Sequence, residues 1–136
     1  MAMAYVPSAL TIAKLNIGFG LINLIPSYCM PKVAVSQWFS KEGYPKDQEL
    51  AEYLISFVGQ HDVPWVVMSI LAVSTGNVSK EYVLASAIYG AFLTLDIPLR
   101  VLRKCEKVGI GKEGVYASIP LVAMIGGLSY LRWTQM

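Results

Sequence analysis

Long apolar segments dominate this sequence and constrain its fold more than any other feature. A helix that crosses a bilayer needs about 20 mainly apolar residues. Segments of this kind lie at 5–28, 82–103 and 115–133. The chain has 136 residues, of which 55% are hydrophobic and 15% charged, and water-soluble domains carry more charge than this. The sequence therefore predicts an all-α fold, a bundle of transmembrane helices that forms a single integral membrane domain over residues 1–136.

A fourth span is predicted over 53–75, and this one contains polar residues. Its sequence, YLISFVGQHDVPWVVMSILAVST, has the polar run QHD at 60–62 and places Pro64 inside the helix. Because proline removes a backbone hydrogen bond, we expect a kink close to these polar side chains. The alternative is a surface helix over 47–58, then a break and a short tilted span.

Lysine and arginine are concentrated in two of the predicted loops, and this asymmetry predicts the orientation in the membrane. Eight basic residues lie in loop one (31–52) and loop three (100–114). The opposite side has only Lys80 and Arg132. We therefore expect loops one and three to face the cytoplasm, or the matrix of an organelle, and both termini to lie on the other side.

Loop one is also predicted to hold a short interfacial helix. Trp38 and Phe39 lie there among polar residues, a pattern typical of a helix at the membrane surface.

Polar side chains from three predicted spans fall at one depth on the cytoplasmic side of the midplane. At a rise of 1.5 Å per residue, His61 and Asp62 lie about 12–14 Å from the cytoplasmic border. Asp96 lies about 21 Å from the other border, which brings it within about 9 Å of the cytoplasmic one. Asn23, late in the first span, reaches a similar level. Ionisable groups inside a bilayer are costly and are usually functional.

This layer suggests acid–base chemistry. Histidine titrates near neutral pH and suits proton transfer. We expect Asp62, Asp96 and His61 to act as catalytic acid and base on a lipophilic small molecule, in an isomerase or cyclase type of reaction. The expected substrate-binding residues surround them: Asn23, Gln60, Trp65, Tyr89 and Arg100.

A purely structural explanation of the same residues stays open. Asp96 and Arg100 have the i,i+4 spacing of a helical ion pair. His61 and Asp62 would then hydrogen-bond neighbouring helices or the carbonyls freed near Pro64.

The expected partners follow from the same features. No cofactor or metal site is expected, because phosphate-binding loops and zinc motifs are absent and the chain has one histidine. A net charge of +2 gives no basic patch for nucleic acid. The expected partners are the lipid bilayer, a lipophilic small molecule, and a second copy or a larger membrane complex. As an alternative to an enzyme, the chain is a non-catalytic accessory subunit of a respiratory or photosynthetic complex.

Three motifs carry a family resemblance that covers most of the chain. They are IGFGLINLIP at 17–26, FVGQHDVPW at 57–65 and YGAFLTLDIPLR at 89–100. In these motifs the chain resembles the DoxX-like family of small four-helix membrane proteins, which implies a four-helix bundle. The family often has an arginine before the aspartate where this chain has His61, so the resemblance extends to Asp62 alone. In shape the chain is also similar to small membrane cyclases, isomerases and anthrone-type oxygenases of fungal secondary metabolism.

Overall fold

The computed structural model describes residues 6–38, 47–96, 99 and 112–136, and in these ranges the fold is all-helical. This confirms the all-α part of the predicted fold. Helix bounds are as follows: α1 Ala9–Leu24, a π-helical turn Ile25–Cys29, α2 Pro31–Trp38, α3 Gln48–Thr75, α4 Lys80–Asp96 and α5 Lys112–Thr134.

Polar side chains begin two of the helices, and a glycine ends one of them. Ser8 accepts a hydrogen bond from the Thr11 amide and begins α1. Asp47 does the same for α3 through the Leu50 amide, at 3.0 Å, which satisfies one of the donors that a helix start leaves free. Gly76 ends α3 with a φ of 66°, a left-handed conformation that glycine adopts without steric cost.

The first two apolar segments differ in detail from the sequence prediction. The first helix continues past Pro26 as a π-helical turn to Cys29, because the ring of a proline interrupts the regular α-helical hydrogen bonds. The third helix, α3, runs unbroken over 28 residues with Pro64 inside it. The single long helix is therefore confirmed over the alternative of two shorter pieces.

The short helix expected in loop one is present as α2, which follows the π-helical turn directly. Ala34 and Val35 are buried, and α2 contacts α3. Phe39, Lys41 and Lys46 lie outside the described residues.

Glycines bring the helices together in two close pairs, α1 with α3 and α4 with α5. A Cβ atom on Gly90 would stand 2.5 Å from the Cα of Gly126, so the two backbones touch. A Cβ on Gly20 would overlap the side chain of Val66. Small residues at such crossings are typical of helix packing in membranes.

Both apolar and polar residues are buried in this bundle. The buried apolar residues include Ile12, Val35 and Val83. The buried polar residues among those described are Asn16, Ser27, Ser69, Ser86 and Ser129. Large apolar side chains are exposed on every long helix, for example Ile22 on α1, Met68 on α3, Phe92 on α4 and Met124 on α5. Extensive exposed apolar surface marks contact with lipid or another protein.

Two described helices are long and apolar enough to cross a membrane: α1 with its π-helical turn (Ala9–Cys29), and α3. Their apolar windows are only 22% and 18% buried, whereas an apolar helix in a water-soluble protein is buried in the core. Thus two of the four predicted spans have support from length and composition. Within the predicted span 82–103, α4 is described for 17 residues that end at Asp96. The predicted fourth span, 115–133, is covered by α5.

Candidate functional site

A hydrogen-bond network at the centre of the bundle joins α1, α3 and α4. The Asn16 amide nitrogen donates to the Tyr82 hydroxyl at 3.0 Å and to Ser86 Oγ at 2.8 Å. The Tyr82 hydroxyl also lies 2.6 Å from Ser69 Oγ. Asn16 and Ser69 are 2% and 0% exposed, so these bonds form away from solvent.

Each proton of this network has a defined acceptor. Ser69 donates to the Trp65 backbone oxygen at 2.7 Å, and a serine has a single proton to give. Tyr82 must therefore donate to Ser69. Ser86 donates to the Tyr82 backbone oxygen at 3.1 Å. Buried polar groups stabilise a fold when they are paired in this way and destabilise it when they are not.

A carboxylate and a tyrosine form a second polar pair between α3 and α4. The Tyr89 hydroxyl donates to Asp62 Oδ1 at 3.4 Å. The ring of Trp65 is stacked on the Tyr82 ring at 5.6 Å, and it lies 5.2 Å from the Tyr89 ring, tilted by 34°. Ring contacts of this kind help to hold both tyrosines in place. A paired acid and phenol inside an apolar bundle is an arrangement that can exchange a proton with a bound molecule.

A small cavity lies beside residues of both the pair and the network. Asn16, Ser86 and Tyr89 line it, together with mainly apolar residues from α1, α3, α4 and α5. Its volume is about 10 Å³, which is the space of one water molecule. A larger molecule would enter only if the helices moved apart.

The structure brings together three of the predicted site residues: Asp62, Trp65 and Tyr89. His61 is exposed, and its Nδ1 donates to the Phe57 backbone oxygen at 2.8 Å. Successive residues leave a helix about 100° apart, so His61 leaves α3 on a different side from Asp62.

The other predicted residues are more scattered. Gln60 is exposed and Asn23 is half-buried. Asp96 is half-buried at the end of α4, seven residues and about 10 Å beyond Tyr89 along the helix axis. Arg100 lies outside the described residues. The catalytic roles of Asp62, Asp96 and His61 stay predictions.

The central network was not predicted from the sequence, although one signal was available. Tyr82 and Ser86 have i,i+4 spacing and therefore share a face of α4. Asn16 and Ser69 are polar residues inside two other apolar segments. Their polar side chains indicate a place inside the bundle. The sequence does not show which of them contact one another, because that depends on how each helix is rotated about its axis.

Among the described residues, no group of three His, Cys, Asp or Glu side chains is placed to hold a metal ion. Comparison of the chain with protein-family models, with curated proteins and with solved structures found no match. The resemblance to the DoxX-like family therefore stays a prediction, and the function is argued from the site alone.

Proposed function

We propose that this chain is a four-helix integral membrane protein that uses Asp62 and Tyr89 to transfer a proton to and from a lipophilic small molecule. The reaction would be of the isomerase or cyclase type. The four spans are α1 with its π-helical turn, α3, α4 and α5. The substrate would reach the interior from the lipid, between helices.

The contact between Tyr89 and Asp62 is the observation that supports this proposal most strongly. It places an acid–base pair 3.4 Å apart, beside a cavity that Tyr89 itself lines. Asn16 and Ser86 also line this cavity. Their protons are already donated within the bundle, so their side-chain oxygens would accept a hydrogen bond from a hydroxyl of the substrate while Asp62 moves the proton.

The test compares lipophilic metabolites of cells that produce the wild type, Asp62→Asn or Tyr89→Phe. Loss of a general acid or base lowers rates by about 10²–10⁴-fold, so we expect the product to disappear in both variants. Glu49→Gln and Tyr130→Phe are matched controls, because both residues are exposed and lie away from the cavity. Unchanged metabolites at equal protein levels in the membrane would contradict the proposal.

A second candidate is a non-catalytic subunit of a larger membrane complex. The cavity, which has room for about one water molecule, favours this candidate, because a structural subunit needs no space for a substrate. The two candidates predict different effects of Asp62→Asn. In an enzyme this change would abolish the product, whereas in a subunit it would leave the complex assembled and the metabolites unchanged. Native electrophoresis of detergent-extracted membranes would show which of the two outcomes occurs.

A further inference from the structure

The exposed side of α3 has a regular repeat. Side chains three and four residues apart line it, namely Leu54, Phe57, His61, Pro64, Met68 and Leu71, and all six are exposed. We call these six residues the outer face of α3. A spacing of alternating threes and fours is the 3.5-residue repeat by which two helices pack along their length.

Two polar residues interrupt this apolar face near its middle. His61 belongs to it, and Gln60 is its exposed neighbour. Their depth follows from the contacts of α3 with the first helix. Gly59 packs against Ser27, and Val66 packs against Gly20. Gln60 and His61 therefore lie level with residues 25–26 of that helix, within its apolar segment Ala9–Cys29 and about one turn from its end.

Lipid cannot satisfy these two side chains. The Gln60 amide makes no hydrogen bond to the residues that the structure describes, and its two donors and one acceptor would face hydrocarbon. An amide without a partner in such surroundings is strongly unfavourable. Polar side chains inside a membrane almost always face protein.

The two side chains complement each other across a two-fold axis. His61 Nδ1 donates to the Phe57 backbone oxygen, so in the neutral ring the other nitrogen, Nε2, is an acceptor. Gln60 offers amide donors beside it. Two copies inserted in the same direction bring their α3 helices together in parallel, with these residues at the same depth. Gln60 of each copy can then donate to His61 of the other, which is the reciprocal pairing that a two-fold interface requires.

We propose that the outer face of α3 is the contact surface between two copies of this chain in the membrane, with Gln60 and His61 hydrogen-bonded across it. The proposal depends on the membrane placement described above and is independent of any reaction at Asp62. It gives His61 a role at an interface.

The test measures self-association of the purified full-length chain in liposomes. Donor- and acceptor-labelled protein is diluted with lipid, and energy transfer reports the dimer. Gln60→Leu and His61→Leu should each weaken the dimer by tenfold or more. Ala85→Leu, which introduces the same side chain at an exposed position of α4, should leave it unchanged. Flotation of the liposomes establishes first that every variant is inserted, which separates failure of this proposal from failure of the membrane placement.

Disulfide cross-linking locates the interface without removing any polar group. In a chain with Cys29→Ser and Cys105→Ser, Met68→Cys should form a disulfide-linked dimer on mild oxidation. Phe92→Cys, exposed on α4, should not. Three results would overturn the proposal: a wild type that is monomeric at every dilution, leucine variants that associate as well as wild type, or cross-linking through Phe92→Cys in place of Met68→Cys.

Discussion

At the scale of single residues, Asn16 determines how the interior is held together. Its amide nitrogen donates to hydroxyl groups of Tyr82 and Ser86 on α4, although α1 packs mainly against α3. In a bundle where lipid and side chains are equally apolar, the hydrophobic effect does not distinguish the inside from the outside. Hydrogen bonds and close packing then decide which sides of the helices meet.

Replacement of Asn16 should therefore weaken the fold measurably. Asn16→Leu removes two hydrogen bonds and leaves hydroxyls of Tyr82 and Ser86 with fewer partners. Bonds between helices in membranes contribute about 0.6 kcal/mol each on average and about 1.7 at most. We expect a loss of about 1–2 kcal/mol in the free energy of unfolding, measured by SDS titration in mixed micelles.

Asn23→Leu is the matched control for this change. Asn23 is half-buried on the same helix and makes no hydrogen bond to a residue that the structure describes. Its replacement should change the free energy of unfolding by less than that of Asn16. Equal losses for the two variants would show that the Asn16 bonds do not hold the helices together.

At the scale of helices, two neighbouring glycines of α5 have opposite surroundings. Gly126 touches the backbone of Gly90 on α4, while a Cβ on Gly127 would meet nothing within 4 Å. The first glycine permits a close approach between helices. The second merely leaves the helix backbone more flexible than alanine would.

Alanine substitutions should separate these two effects. Gly90→Ala forces α4 and α5 apart and should destabilise the bundle by about 1–3 kcal/mol, as overpacking of a tight contact does. Gly127→Ala should be neutral or stabilising by about 0.5–1 kcal/mol. Thermal unfolding in detergent, followed by circular dichroism, measures both. The packing described here would be contradicted if Gly90→Ala unfolded at the wild-type temperature or above it.

The helices themselves could be predicted from the sequence, because length and apolar content suffice to recognise them. The continuous α3 also followed from the count of residues, since the part after Asp62 is too short to span a bilayer. The rotation of each helix could not be predicted. Apolar residues surround α1 on all sides, so periodicity does not indicate which side faces inward.

Because the sequence does not give the rotation of each helix, the predicted site differs from the site in the structure. Depth alone placed His61, Asp62 and Asp96 in one layer, but side chains at one depth can point in different directions. Asp62 contacts Tyr89 between the helices, and His61 is exposed on another side of α3. The contact of Asn16 with Tyr82 was missed for the same reason.

At the scale of the whole molecule, the distribution of side chains supports the proposed placement in a membrane. Large apolar side chains are exposed on all four long helices, and five of the described buried residues are polar. At the end where α3 turns into α4, the Lys80 ammonium lies 5.6 Å from the Trp133 ring, and the Tyr130 ring lies 6.0 Å from that tryptophan. Aromatic and basic residues in this position are typical of the boundary between lipid and water.

In the proposed membrane bundle, α1, α3, α4 and α5 expose their apolar sides to lipid. Single nitroxide labels at Ile22, Ile70, Phe92 and Met124 test one exposed position on each of α1, α3, α4 and α5. A label at Asn77, in the turn between α3 and α4, is the control. In liposomes, electron paramagnetic resonance compares collisions with oxygen, which concentrates in lipid, and with a water-soluble nickel complex. We expect oxygen to dominate at the four helix positions and nickel at Asn77. Nickel accessibility on α4 or α5 equal to that at Asn77 would contradict the four-helix membrane bundle.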